Sequence, residues 1–179
     1  MKSRKEVIIS LFIIIFMLHP TNGYVWANTY DKPFEYLCKD GTAISQIHSV
    51  HNNHYEDRIF AFQCRVTEIQ QHTLCNWSQY ANAFDQFFSF QCVNHGFITG
   101  IQSYHDNGYE DRKFKFHCCE IQEMDVTECY FTNPNPFDAT FTATARENYV
   151  FRGVTSIHDN HREDREFSWE VCRLKNRNE

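Results

Sequence analysis

The chain has 179 residues, with 17 Lys and Arg against 23 Asp and Glu, a formal net charge of −6 and 16 % aromatic residues. That acidic balance leaves no basic footprint for nucleic acid, and it disfavours sulfated polymers of the kind held by Lys/Arg clusters. The length suits one domain whose core is built largely from aromatic rings.

Residues 1–23 read as a secretory signal peptide. Lys2, Arg4 and Lys5 precede an apolar run from Val7 to Leu18, and small or polar residues follow at Thr21 to Gly23. The run is too short and too early for a membrane span, and no later stretch approaches spanning length. Cleavage near Gly23 removes three basic residues and one acidic residue, leaving 14 − 22 = −8 on a secreted single domain over 24–179.

After a polar and aromatic lead-in at 24–33, the segment Phe34 to Cys38 alternates as a strand does, and Lys39-Asp40-Gly41 reads as a turn. Ala43 to Val50 is a second strand. Ile44 and Ile47 have opposite parity there, which calls for a bulge or a change of face. A polar loop at His51 to Glu56 leads into a third strand, Asp57 to Val66. The same order returns at Phe88–Cys92, Gly96–Tyr104 and Asp111–Ile121, and a third time at Tyr149–Phe151, Gly153–Ile157 and Asp164–Leu174. The connectors 67–86 and 122–147 are less determined. Leu74 to Phe84 fits a helical turn or another strand, and Asn133-Pro134-Asn135-Pro136 is irregular.

One pattern therefore occurs three times. Ser49-Val50-His51-Asn52-Asn53 leads to Glu56-Asp57-Arg58-Ile59-Phe60; Ser103 to Asn107 leads to Glu110-Asp111-Arg112-Lys113-Phe114; Ser156 to Asn160 leads to Glu163-Asp164-Arg165-Glu166-Phe167. The arginines are 54 and 53 residues apart (58 to 112, 112 to 165). Short strands at a regular period predict an all-β, pseudo-threefold body, β-trefoil or β-prism-like, with repeats at 34–66, 88–121 and 149–174.

All eight cysteines follow the leader, and an even count in a secreted chain reads as disulfides. Cys38 to Cys64 and Cys92 to Cys118 share a 26-residue spacing, so each pair closes its own repeat. The third repeat has Tyr149-Val150 near the first position and Val171 at the second, so both partners are absent together. The symmetric solution for the remainder joins Cys75 to Cys119 and Cys129 to Cys172.

These elements resemble the dermatopontin family. The resemblance rests on three Asp-Arg-x-Phe-x-Phe/Trp segments (Asp57–Phe62, Asp111–Phe116, Asp164–Trp169), on Phe88 to Cys92, and on Gly96 followed by Gly100-Ile101-Gln102-Ser103. It rests also on the Cys118-Cys119 doublet and on Arg152-Gly153-Val154-Thr155 leading to Cys172-Arg173-Leu174. Where family members usually carry Asp-Arg-x-Trp-x-Phe, Phe60, Phe114 and Phe167 stand here. The resemblance implies a small secreted matrix protein that binds proteoglycan, collagen or cell-surface components and promotes adhesion. It also points to invertebrate relatives that agglutinate or aggregate cells.

The Asp-Arg pairs (Asp57-Arg58, Asp111-Arg112, Asp164-Arg165) read first as a structural motif. Strand alternation puts each arginine on the aromatic face, with Glu56, Glu110 and Glu163 as candidate carboxylate partners. The loops have two readings. The Asx residues make the turn, or His51, Asn53, His105, Asn107, His158 and Asn160 hydrogen-bond sugar hydroxyls in three shallow sites, as in a lectin. Calcium would need six to eight converging oxygens, and the loop lacks the spacing of an EF-hand or of the Gly-rich nonapeptide repeat. His51, His105 and His158 either meet on the threefold axis, where they could hold zinc, or lie apart around a rim. No metal or cofactor is expected. Ser49, His51 and Asp57 offer triad residue types, but a set that recurs three times fits binding better than catalysis. No enzymatic activity is expected. Asn76-Trp77-Ser78 is an N-glycosylation sequon in a connector.

Overall fold

The computed structural model describes residues 23–67 and 74–177. The signal peptide expected over 1–23 lies outside them except for Gly23. The described chain has eleven strands and no helix, and so no helix long and apolar enough to cross a membrane.

Three long hairpins carry the fold. They are β2 (Thr42–Asn52) with β3 (Asp57–Val66), β6 (Phe97–Asp106) with β7 (Asp111–Glu120), and β10 (Tyr149–Asp159) with β11 (Asp164–Asn176). Their registers coincide: His51 faces Arg58, His105 faces Arg112 and His158 faces Arg165 in the second pair from each turn. Each hairpin also shifts register once, between Ile44 and Gln46, Ile98 and Gly100, and Phe151 and Gly153. A bulge places one extra residue in a strand and reverses the facing of the residues beyond it. Ile44 and Ile47 thereby both reach the core, at 1 % and 0 % exposure.

Short strands join the hairpins in a cycle. β1 (Phe34–Leu37) precedes the first hairpin but pairs with β6 of the second. β5 (Phe88–Gln91) pairs with β10 of the third, and β9 (Phe141–Thr144) returns to β2 of the first. The third repeat therefore opens at β9, not at Tyr149–Phe151, which are the start of β10. Ala145 occupies the position of Cys38 and Cys92: its N–H donates to Ser45 O as theirs donate to Thr99 O and Arg152 O. Ala145 and Val171 are both fully buried, an apolar substitute for the missing third bridge.

At the outer edges, β4 (Leu74–Trp77) pairs with β7, and β8 (Met124–Phe131) pairs with β11. The first connector thus supplies a strand, not a helical turn, and the second supplies both β8 and β9. Gly153 permits one close approach, because a Cβ there would lie 2.5 Å from Phe90 O on β5.

The disulfides are Cys38–Cys64, Cys92–Cys118, Cys75–Cys119 and Cys129–Cys172, the pairs predicted from spacing. The last two fasten β4 and β8 to their hairpins. In the first hairpin Arg65 stands at the position of Cys119 and Cys172, and its guanidinium donates to Ala145 O, Arg146 O and Tyr149 O. One core fills the centre, with Phe60, Phe114 and Phe167 meeting edge to face at centroid distances of 5.6–6.2 Å. A second apolar cluster joins Phe97, Met124, Val150 and Leu174.

Candidate functional site

Each Asp-Arg dipeptide opens the second strand of a hairpin, and adjacent strand residues point to opposite faces. An arginine therefore cannot grip the aspartate beside it, and the structure pairs it with the aspartate of another repeat. Arg112 donates to Asp57 through Nε and Nη2 at 2.6 and 2.7 Å, Arg165 to Asp111 at 2.6 and 2.7 Å, and Arg58 to Asp164 at 2.5 and 2.7 Å. All six residues are buried, at 3–4 % exposure. Glu56, Glu110 and Glu163, the partners expected from strand parity, do not take this role. They hold left-handed backbone at φ 47°, 45° and 47°, so strand parity does not extend to them.

Further bonds complete each seam. Asp57 accepts the N–H of Asp31, Asp111 that of Asp85, and Asp164 that of Asp138. The guanidinium groups also donate to Lys32 O, Gln86 O and Ala139 O, and lie over Phe34, Phe88 and Phe141 at 5.4–5.9 Å. Asn28, Asn82 and Asn135 bracket the strands beside them: each donates to the arginine carbonyl and accepts the N–H of Phe60, Phe114 or Phe167. None of these three asparagines stood out in the sequence, although they too recur at 54 and 53 residues.

Charge makes the Asp164 seam acid-sensitive. Burial alone would raise Asp164, but the contacts from His51 and Arg58 outweigh it and hold its carboxyl below the ordinary range. A carboxyl of lowered folded-state pKa contributes stability above its unfolded value, about 4, and loses it as pH falls through the folded value. Denaturation followed by tryptophan fluorescence should thus show stability falling below about pH 4. Asp164→Asn should be less stable than the parent at neutral pH and should lose less on acidification.

The six residues proposed for the loops divide into two sets. His51, His105 and His158 are buried at 8–9 % exposure, each between two aspartates of another repeat: Asp138 and Asp164, Asp31 and Asp57, Asp85 and Asp111. The structure thus disperses the histidines over three seams. Ser49, Ser103 and Ser156 are buried beside them, at 0–3 %. Asn53, Asn107 and Asn160 are exposed at the hairpin tips. The residues before them make the turns: Asn52, Asp106 and Asp159 accept the N–H of His54, Gly108 and His161 at 2.9 Å.

Each tip also carries a ring from the lead-in of its own repeat. Tyr30 stacks on Tyr55 with centroids 4.7 Å apart, Phe84 stacks on Tyr109 at 4.7 Å, and Arg162 lies 5.4 Å over Phe137. Tyr55 and Tyr109 remain 44 % and 52 % exposed. Tyr30, Phe84 and Phe137 escaped the sequence reading because they precede the short strands; their 54- and 53-residue spacing was the available signal. Asn76 of the sequon is exposed in β4.

Fold and seams together define a disulfide-stapled, all-β protein whose three hairpins are closed by buried Asp–Arg pairs. The chain belongs to the dermatopontin family, whose sequence model matches residues 28–176. It is 37 % identical over 167 residues to "Hemagglutinin/amebocyte aggregation factor" of Limulus polyphemus, covering 92 % of this chain and 96 % of that protein. It is 34 % identical over 149 residues to "Dermatopontin" of Biomphalaria glabrata, covering 83 % and 99 %. "Millepora cytotoxin-1" of Millepora dichotoma is 35 % identical over 145 residues, 81 % of this chain and 65 % of that protein. No solved structure matches the chain.

Proposed function

We propose that the protein acts outside the cell as a non-enzymatic adhesion or aggregation protein, with proteoglycan, collagen or cell-surface glycans as partners. The pairing of every cysteine in a disulfide suits an oxidising, extracellular setting. The similarity to an aggregation factor and to a dermatopontin supports the adhesive role. Asn76 is proposed to carry the N-linked glycan, on the exposed face of β4.

The observation that carries the reading is the set of three tips. Two set an exposed asparagine two residues before an exposed tyrosine ring (Asn53 and Tyr55, Asn107 and Tyr109), and the third sets Asn160 two residues before Arg162, which covers Phe137. Amide and ring together hydrogen-bond a sugar's hydroxyls and cover its apolar face. This favours the lectin form of the proposal over adhesion through a broad protein surface. Three weak sites on one rigid body also give the avidity that aggregation requires. The buried histidines belong to the seams and position the tips.

A glycan array on the mature protein, run with calcium and again with EDTA, tests this directly. Binding to a narrow sugar class is expected. Replacing Asn53, Asn107 and Asn160 together by alanine should abolish it while the melting temperature stays within a few degrees, since exposed tip residues contribute about 0.5 kcal/mol or less each. Retained cell adhesion in that triple variant would reject the tips and leave a protein-surface mode of matrix binding.

A further inference from the structure

At the centre of the molecule, above the ring of Asp–Arg pairs, three glutamates face one basin. Glu56, Glu110 and Glu163 line it with Phe60, Phe114 and Phe167 as its floor. Each glutamate occupies the left-handed residue of its hairpin, with φ of 45–47°. Glycine or asparagine suits that conformation better, so the turn by itself does not account for glutamate in all three copies. The formal charge around the basin is unbalanced: three Asp and three Glu against three Arg leave 3 − 6 = −3 with the imidazoles neutral.

A second observation points into the same basin. The His105 side chain is 0 % exposed, neither ring nitrogen has a hydrogen-bond partner, and Nε2 lies 3.6 Å from Glu110 Oε2. His158, at 1 % exposure, repeats this at one nitrogen: Nδ1 bonds Asn160 Oδ1 at 3.1 Å, while Nε2 is unpartnered and 3.8 Å from Glu163 Oε2. Burial raises Glu110 and Glu163 above the usual carboxylate range; His105 and His158 pull them back in part, and repulsion from Glu56 adds a smaller push upward on both. Like charges gathered at a half-buried site cost stability, and a cation held among them offsets that cost.

We propose that this basin is a binding site for an alkylammonium group, such as the lysine side chain of a basic partner. The three glutamates would accept its charge-assisted hydrogen bonds, and the phenylalanine floor would lie beneath the cation. The space at the centre is about 20 Å3, room for one group the size of a water or an ammonium head. A metal ion is disfavoured at the basin. Among the described residues, the sets of ligand atoms that close to within 4.8 Å lie at the seams and around Cys129 and Cys172, and the glutamate triad is not one of them. The net acidity of the chain also favours a basic partner.

The test is isothermal titration of the mature protein with Nα-acetyl-lysine methylamide, with the norleucine analogue, with 1,5-diaminopentane and with calcium chloride. One site per chain is expected for the lysine amide, none for norleucine, and about tenfold weaker binding for Glu110→Gln or Glu163→Gln. Diamine binding without the lysine amide would support the ammonium site with a free amine as its ligand. The triple replacement of Glu56, Glu110 and Glu163 by glutamine should lose binding and melt at a higher temperature than the parent, because it removes the repulsion. A triple variant that melts lower, from a parent that binds no amine, would show the glutamates to be structural. Calcium binding in place of amine binding would make the basin a metal site. Either result overturns the proposal, and neither depends on whether the hairpin tips bind glycan.

Discussion

Replacing Arg112 by alanine should cost about 3–5 kcal/mol, because it leaves Asp57 ionised and buried without its bidentate partner. Asp57 is 3 % exposed and accepts two guanidinium bonds at 2.6 and 2.7 Å together with the Asp31 N–H. The same change removes the bond to Lys32 O and the contact over Phe34, so the lead-in and β1 loosen with the seam. The measurement is the urea midpoint with disulfides intact, where a lower midpoint at unchanged slope isolates stability. The double variant Asp57→Leu/Arg112→Met distinguishes a stranded charge from lost packing. Removing both charges should recover part of the loss, but not all, since the Asp31 N–H then loses its acceptor at about 1–3 kcal/mol. A single variant that unfolds at the parental midpoint would show that the seam contributes nothing.

Phe114→Ala should cost about 3–5 kcal/mol by a different route, a cavity where three repeats meet. The ring is 3 % exposed and touches Phe60 and Phe167 edge to face, with Phe88 and Phe116 stacked at its sides. Neighbours held by hydrogen-bond ladders on three hairpins cannot collapse into the space, so the cost should fall in the upper part of the usual range. Phe87→Ala provides the control. That ring is 63 % exposed, and its loss should change stability by about 0.5 kcal/mol or less. Equal midpoints for the two variants would refute a core centred on Phe114.

Both predictions rest on residues that the repeat made visible, yet visibility differed from element to element. The hairpins were legible because alternation, a polar loop and Asp-Arg-x-Phe recur together. The cysteine pairs were legible because matching spacings left one symmetric arrangement. The opening strand of the third repeat was not. Phe141-x-Ala143-x-Ala145 lacks the cysteine that marks Phe34 to Cys38 and Phe88 to Cys92, so the nearest aromatic run, Tyr149–Phe151, took its place. The carboxylate partners of the arginines were misread for a related reason. Parity along a strand made the glutamates plausible, but each lies in a left-handed turn residue where the alternation has ended. The loop histidines looked available to ligand because their neighbours are polar. The ladder instead holds His51 opposite Arg58, where aspartates of another repeat cover it.

Whatever is local or periodic was written in the residues alone: short alternating strands, a thrice-repeated hairpin, and cysteines at repeated spacings. Each of these comes from neighbouring residues or from comparing one repeat with the next. It took the folded molecule to establish which repeat closes upon which: β1 on the second hairpin, β5 on the third and β9 on the first, with each Arg reaching the Asp of another repeat. Three near-identical units present the same donors and acceptors, so composition cannot choose among their partners. The choice is made by geometry, because adjacent residues of a pleated strand face opposite ways and an Asp and an Arg side by side must each find a partner elsewhere.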